Sequence, residues 1–150
     1  KIDSAEAAFT LKPDNKTLIK AYGAYANAYG EYAKISDNDI NVFQPFSVAT
    51  NADEFVPIFA SGFLISRKIN DRLNISTQYN YVDEYTTSGE GDAIERFETF
   101  DVKLTQSFQA ADIPSQLILT IKNLFDNPYQ DFDIDNEVGL EAYIELKMEL

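Results

Sequence analysis

The chain has 150 residues, enough for one domain with a real core, and carries 12 Lys and Arg against 25 Asp and Glu, a net charge of −13. That balance excludes the basic face that nucleic acid or an anionic lipid headgroup would need. There is no Cys and no His, so disulfides, thiolate or imidazole metal sites and every Ser-His or Cys-His catalytic arrangement are excluded too.

In chain order, a first strand is expected at 5–11, followed by the turn-like "KPDNK". The next segment, "LIKAYGAYANAYGEYA" over 18–33, has Tyr22, Tyr25, Tyr29 and Tyr32 near helical spacing. Gly23 and Gly30 would each cost a helix interior about 1 kcal/mol. A strand over 18–32 is therefore preferred, with a helix as the alternative. Further strands are expected at 57–66, 73–85, 96–108, 116–126 and 138–150. Within them the period is two. Leu73, Ile75, Thr77, Tyr79 and Tyr81 alternate with Asn74, Ser76, Gln78 and Asn80. Phe100, Val102, Leu104 and Phe108 alternate with Asp101, Lys103, Thr105 and Ser107, and Ala142, Ile144, Leu146 and Met148 with Tyr143, Glu145, Lys147 and Glu149. Successive side chains of a strand face opposite ways, so each stretch has one apolar and one polar face.

Three features point to a membrane barrel. Several strands exceed the usual length of about 5–6 residues and reach the roughly 9–11 that a tilted strand needs to cross a bilayer. Short connections ("KPDNK", "RKIND", "QAADIPS") alternate with long ones (33–56, 86–95, 127–137), as periplasmic turns alternate with extracellular loops. Aromatics gather at the long-loop end of the strands: Tyr25, Tyr29, Tyr32, Phe59, Tyr79, Tyr81, Tyr85, Phe97, Phe100, Phe125 and Tyr129. Rings of this kind favour the membrane–water interface. Charge then assigns the faces. Lys103 and Lys147 share a face with Ser, Thr or Tyr; at mid-depth in lipid each would cost about 2–4 kcal/mol. The polar face is thus expected to line the lumen and the apolar face to meet lipid, with Ile118 a misfit on the lumen side. Seven strands that begin outside and end in the periplasm do not make a complete even-stranded barrel, so the chain is expected to be the C-terminal piece of a larger one.

The final hairpin carries a family resemblance. "LTIKNLFDNPYQDF" at 119–132, followed by "VGLEAYIELKMEL", resembles the end of TonB-dependent outer-membrane receptors on Asn123, Leu124, Phe125, Asp126, Tyr129 and Gly139. Leu140 stands where that family usually has Arg, and Leu150 where its barrels usually end in an aromatic residue. The match is clear over about the last 35 residues, and the hairpin pattern extends more loosely to most of the chain. The resemblance implies an all-β, antiparallel transmembrane barrel of roughly 22 strands, of which residues 1–150 would form the C-terminal seven or so. It further implies a bacterial outer-membrane receptor that takes up a scarce, bulky ligand such as a siderophore, cobalamin or glycan, driven by the TonB complex acting on an upstream plug. Its surroundings would be outer-membrane lipid and lipopolysaccharide. The alternatives are a small standalone barrel acting as adhesin or structural protein, and a soluble β-barrel binding a small apolar ligand.

Carboxylate pairs such as Asp83-Glu84 are chemically capable of acid–base work, but nothing in the sequence marks a pocket around them, so no catalytic residue is expected and the chain is read as a non-enzyme. Candidate ligand contacts in the outer loops are Tyr85, Tyr129 and Phe132, while Phe125 and Tyr129 are also expected to anchor the strand end at the interface. Asp131, Asp133 and Asp135, two residues apart, are candidate ligands for a structural calcium ion. The EF-hand pattern would require Gly where Asn136 sits, and a solvated acidic loop is the simpler reading of the run.

Overall fold

The computed structural model describes residues 2–28, 57–86, 93–130 and 136–149. Seven strands form one antiparallel sheet: β1 (Ile2–Leu11), β2 (Thr17–Ala28), β3 (Phe59–Lys68), β4 (Leu73–Val82), β7 (Phe97–Ala110), β8 (Ile113–Lys122) and β11 (Glu141–Met148). Each pairs with its neighbour in sequence, giving the order β1-β2-β3-β4-β7-β8-β11. Two small hairpins project from the long-loop end: β5 (Tyr85–Thr86) with β6 (Ala93–Ile94), and β9 (Tyr129–Gln130) with β10 (Glu137–Val138). The pattern of residues had indicated the seven long strands; it had not indicated these hairpins, whose two-residue strands are too short to show a period. There is no helix among the described residues. Thr17–Ala28 is a strand, as the glycines required, while Tyr29 and Tyr32 lie outside the described residues. The sheet is not closed: β1 and β11 each have a paired neighbour on one side only.

Turns fix the register at the short-turn end. Asp14 accepts the Lys16 N–H at 2.8 Å, and this bond holds its carboxyl below the usual carboxylate range. Asn70 accepts the N–H groups of Arg72 and Leu73, each at 2.9 Å, a side chain standing in for backbone in a tight turn. Between β7 and β8 the turn is two residues, Ala111 and Asp112, with φ of 50° and 65°. Positive φ at both central positions matches the right-handed twist of the flanking strands. The strands consequently run to Ala110 and restart at Ile113, leaving a turn far tighter than "QAADIPS" suggested.

Register aligns the alternating patterns across the whole sheet. Leu104 lies opposite Ile75 on β4 and Leu119 on β8, and Leu119 lies opposite Ile144 on β11. On the other side Ile75 faces Arg67, Thr77 faces Ile65, and Ile65 faces Ile19, which faces Leu11. One face is therefore largely apolar from edge to edge, interrupted by Arg67, Thr77, Gln106 and Glu98, and nothing among the described residues covers it. Ile144 is 77% exposed, Phe9 59% and Leu146 58%. The only buried hydrophobic residues among those described are Ile94, on β6, and Ile118. Ile118 belongs to the polar face, between Thr105 and Glu145 in register, so the misfit seen in the alternation is resolved by burial.

Aromatic side chains form a band on the apolar face at the long-loop end. Phe125 tilts against Phe100 (centroids 5.5 Å apart), Phe100 is the register partner of Tyr79, and Tyr79 stacks on Phe63 at 5.4 Å. Phe59 packs on Tyr81 at 6.2 Å and pairs in register with Tyr25. The polar face is stitched by amides and hydroxyls. Tyr22 reaches across β3 to donate to Asn80 Oδ1 at 2.7 Å, passing over Gly62, its register partner. A Cβ at Gly62 would lie 2.5 Å from the Tyr79 carbonyl oxygen and 2.6 Å from the Tyr22 hydroxyl, whereas one at Gly23 would meet nothing closer than 3.9 Å.

Gly62→Ala is expected to destabilise the fold by about 1–3 kcal/mol through overpacking, because a backbone carbonyl cannot step aside; Gly23→Ala is expected to be neutral or mildly stabilising. Denaturant-induced unfolding of the two variants side by side checks the difference. Asp112→Gly is expected to stabilise by roughly 1 kcal/mol, since it removes the left-handed backbone penalty in a turn that keeps its shape; the same titration reads it as a raised midpoint.

Candidate functional site

The long-loop end of the polar face is organised by Asn123. This residue takes φ 49°, a left-handed conformation that Asn tolerates better than most residues. It ends β8 one residue after Lys122, ahead of Asn127-Pro128, where the pattern of residues had placed the exit from the sheet. Asn123 is 2% exposed, and every polar group it presents has a partner. Its N–H donates to Asp101 Oδ1 at 2.9 Å, its carbonyl accepts the Asp126 N–H at 2.8 Å, and its amide exchanges two bonds with the Asn127 backbone at 2.8 and 3.3 Å. The next N–H, from Leu124, returns to the Phe100 carbonyl at 2.8 Å. The turn is thereby locked to the upper part of β7.

Asp126, at φ 52°, carries the lock to the last strand: its Oδ1 accepts the Leu140 N–H at 2.8 Å. A Cβ at Gly139 would lie 3.1 Å from that oxygen, so glycine lets the chain approach the carboxylate. Asn123, Asp126 and Gly139, three of the residues that carried the family resemblance, thus work as one structural unit. Leu124 and Phe125 complete the turn, Phe125 lying against Phe100 in the aromatic band.

Beside this unit the polar face holds a chemically mixed patch. Phe97 and Tyr129 stack, centroids 4.5 Å apart and planes 15° apart. Both had been expected near the membrane interface, Tyr129 also as a ligand contact; Phe97 follows the odd residues of β7 onto the polar face, with Thr99 and Asp101, and Tyr129 stacks on it there. Lys122 Nζ lies 3.7 Å from Glu141 Oε2 and 5.5 Å from the centre of the Tyr143 ring, while the Tyr143 hydroxyl donates to Glu141 Oε2 at 2.6 Å. Asn80 Oδ1 accepts from Tyr22 and from Gln78 Nε2, the latter at 2.8 Å, and Asn80 Nδ2 donates to Thr99 at 3.1 Å. Of these, Phe97, Tyr129, Lys122, Glu141, Asn80 and Thr99 border a hollow of about 250 Å³.

The sequence-derived candidates fare unevenly. Tyr129 borders the hollow. Tyr85 sits on β5 opposite Ile94, in a different hairpin. Phe132, Asp131, Asp133 and Asp135 lie outside the described residues, and among the described residues no group of three or more acidic side chains could hold a metal ion. Asn80, Phe97, Thr99, Asp101, Lys122 and Glu141 had not been singled out as ligand contacts. The alternation placed most of them on the polar face; only the pairing of β4 with β7 and of β8 with β11 gathers them at one end. No protein-family model matches the chain, and comparison with curated proteins finds no match.

Asn123→Ala removes the exchanged pair of bonds and puts a residue averse to left-handed backbone at φ 49°, so a loss of about 2–4 kcal/mol is expected. Asn123→Gly keeps the backbone and loses only the side-chain bonds, so it is expected to cost less. Midpoints of chemical unfolding for the two variants give the ranking.

Proposed function

We propose that this chain forms part of the wall of a transmembrane β-barrel in a bacterial outer membrane, as the C-terminal portion of a TonB-dependent receptor for a scarce, bulky ligand. The observation that carries the reading is the apolar face spanning all seven strands with no layer over it. A water-soluble sheet of this size would bury that face against a second layer; here lipid is the covering. The aromatic band at the long-loop end then lies where rings prefer the membrane–water interface, and Lys103 and Lys147 lie on the wet side of the wall. Within a bilayer a sheet leaves no edge unpaired, so β1 and β11 pair with further strands that complete the barrel around a plug. The resemblance of 119–150 to the closing hairpin of TonB-dependent receptors supplies the transport function.

The standalone-barrel alternative, an adhesin or structural protein, predicts a small closed barrel without a plug and no TonB-driven uptake. The soluble alternative requires a dry interior, and burial of only Ile94 and Ile118 among the described hydrophobic residues weighs against it.

Leu104 is central on β7 and on the apolar face; Thr105, its neighbour, is on the polar face. In bilayer refolding, Leu104→Lys is expected to lose about 2–4 kcal/mol and Thr105→Lys to stay within about 1 kcal/mol. Equal effects, or a protein that stays monomeric without detergent, would refute the membrane assignment. In the source cell the protein is expected in the outer-membrane fraction, and the uptake it supports is expected to stop when TonB or the proton gradient is removed. Uptake that survives both losses rejects the receptor assignment.

A further inference from the structure

The net charge of −13 had set anionic headgroups aside as partners, but the charges are not spread evenly over the fold. The turns 12–16 and 67–72 carry Lys12, Lys16, Arg67, Lys68 and Arg72 against Asp14 and Asp71, a surplus of three positive charges. At the other end of β4, the segments 83–86 and 93–98 carry Asp83, Glu84, Glu95 and Glu98 against Arg96, a surplus of three negative charges. The two basic turns form one surface. The Lys68 N–H donates to the Lys16 carbonyl at 2.8 Å, and Thr17 lies opposite Arg67 in register. All five cations are exposed. The ion pairs Lys122–Glu141 and Lys147–Glu145 lie on β8 and β11, and none of the five cations joins one among the described residues. Asp14 is already engaged by the Lys16 N–H. Like charges facing each other across neighbouring strands repel, so this collar is held at a cost that a bound anion relieves.

Arg67 decides which anion. It lies opposite Ile75, which lies opposite Leu104, so its parity is that of the apolar face, at the end of β3. Ile65 before it and Ile69 after it in the chain are both exposed. Phe59, in the aromatic band, stands eight residues earlier on the same strand. At about 3.4 Å per residue and a tilt of about 45°, the two lie about 19 Å apart along a membrane normal. The apolar band of such a barrel is about 25 Å tall. A ring at one level and a guanidinium reaching outward on its long stem at the other therefore bracket the hydrocarbon. A free phosphate gains nothing from the isoleucines beside the guanidinium. A phospholipid meets both, its phosphate on the cations and its acyl chains on the wall that holds Ile65 and Ile19. We propose that the two adjoining short turns of β1–β4 hold the headgroup of an anionic phospholipid in the leaflet at the short-turn end, with Arg67 at the level of its phosphate. The inference rests on the barrel reading above and names a lipid class and a place for it.

Native mass spectrometry of the intact protein in detergent, titrated with phosphatidylglycerol, phosphatidylcholine and inorganic phosphate, tests this. The expected result is a preference of about tenfold or more for phosphatidylglycerol over phosphatidylcholine. That binding weakens about fivefold in Arg67→Gln and about 25-fold in the double variant Lys16→Gln, Lys68→Gln, the order of one and two surface cations. Arg67→Lys keeps it, and Lys147→Gln, at the same end of the sheet on β11, leaves it unchanged. Retained fold is read from heat-modifiable migration; where a variant does not fold, loss of the unsubstituted protein's preference in about 1 M ammonium acetate, which screens charge, gives the same comparison. Equal affinity for the two lipids, binding indifferent to these substitutions, or inorganic phosphate bound as tightly as the lipid overturns the headgroup site. A protein that needs detergent yet does not distinguish the lipids overturns that site and leaves the barrel standing. One that is monomeric without detergent and binds phosphatidylglycerol vesicles through the same residues upholds the headgroup contact and overturns the barrel.

Discussion

A strand with a period of two tolerates no slippage, because moving it one residue past its neighbour turns its apolar set to the opposite face. Seven strands in this chain keep that registration together, from Leu11 opposite Ile19 at one edge to Leu119 opposite Ile144 at the other. The consequence is a sheet with one largely apolar face and one polar face. Turn chemistry enforces it: the Asp14 and Asn70 side chains close their turns with backbone-like bonds, and Ala111 and Asp112 accept left-handed backbone so that Ala110 meets Ile113 directly. The small energetic cost at that turn is set against the registration of two long strands.

At the opposite end the constraint is held by side chains. Asn123 and Asp126 tie β7, β8 and the start of β11 together through bonds to Asp101, Asn127 and Leu140. Their positive φ angles mean that the run Asn-Leu-Phe-Asp is a shaped turn, more specific than a loose chain leaving a sheet. It also sorts the aromatics. Phe125 is sent to the apolar face against Phe100, while the chain beyond it returns Tyr129 to the polar face against Phe97. Two rings only four residues apart thus serve opposite surfaces. That division underlies the proposed contact of Phe125 with the interface.

Much of this was readable from the residues. The seven strands, the alternation of short turns and long connections, and the separation of Leu104 from Lys103 follow from spacing alone. The boundaries were less so. Strand β8 was expected to reach residue 126 but stops at Lys122, because Leu124 and Phe125 are apolar and look like strand while the backbone at Asn123 has already turned. The two small hairpins left no trace in the pattern. The hollow was not visible at all, since Asn80, Phe97 and Glu141 come from three different strands.

The sequence by itself determined the seven long strands and the chemistry of each face, because side-chain direction in a strand depends only on parity. What tertiary structure decided was which strands are neighbours, hence which polar residues meet. It placed Ile118 in a buried position on the polar face, drew Tyr22 over Gly62 to Asn80, and stacked Phe97 on Tyr129. Those contacts depend on register between segments separated by tens of residues, which local patterning does not encode.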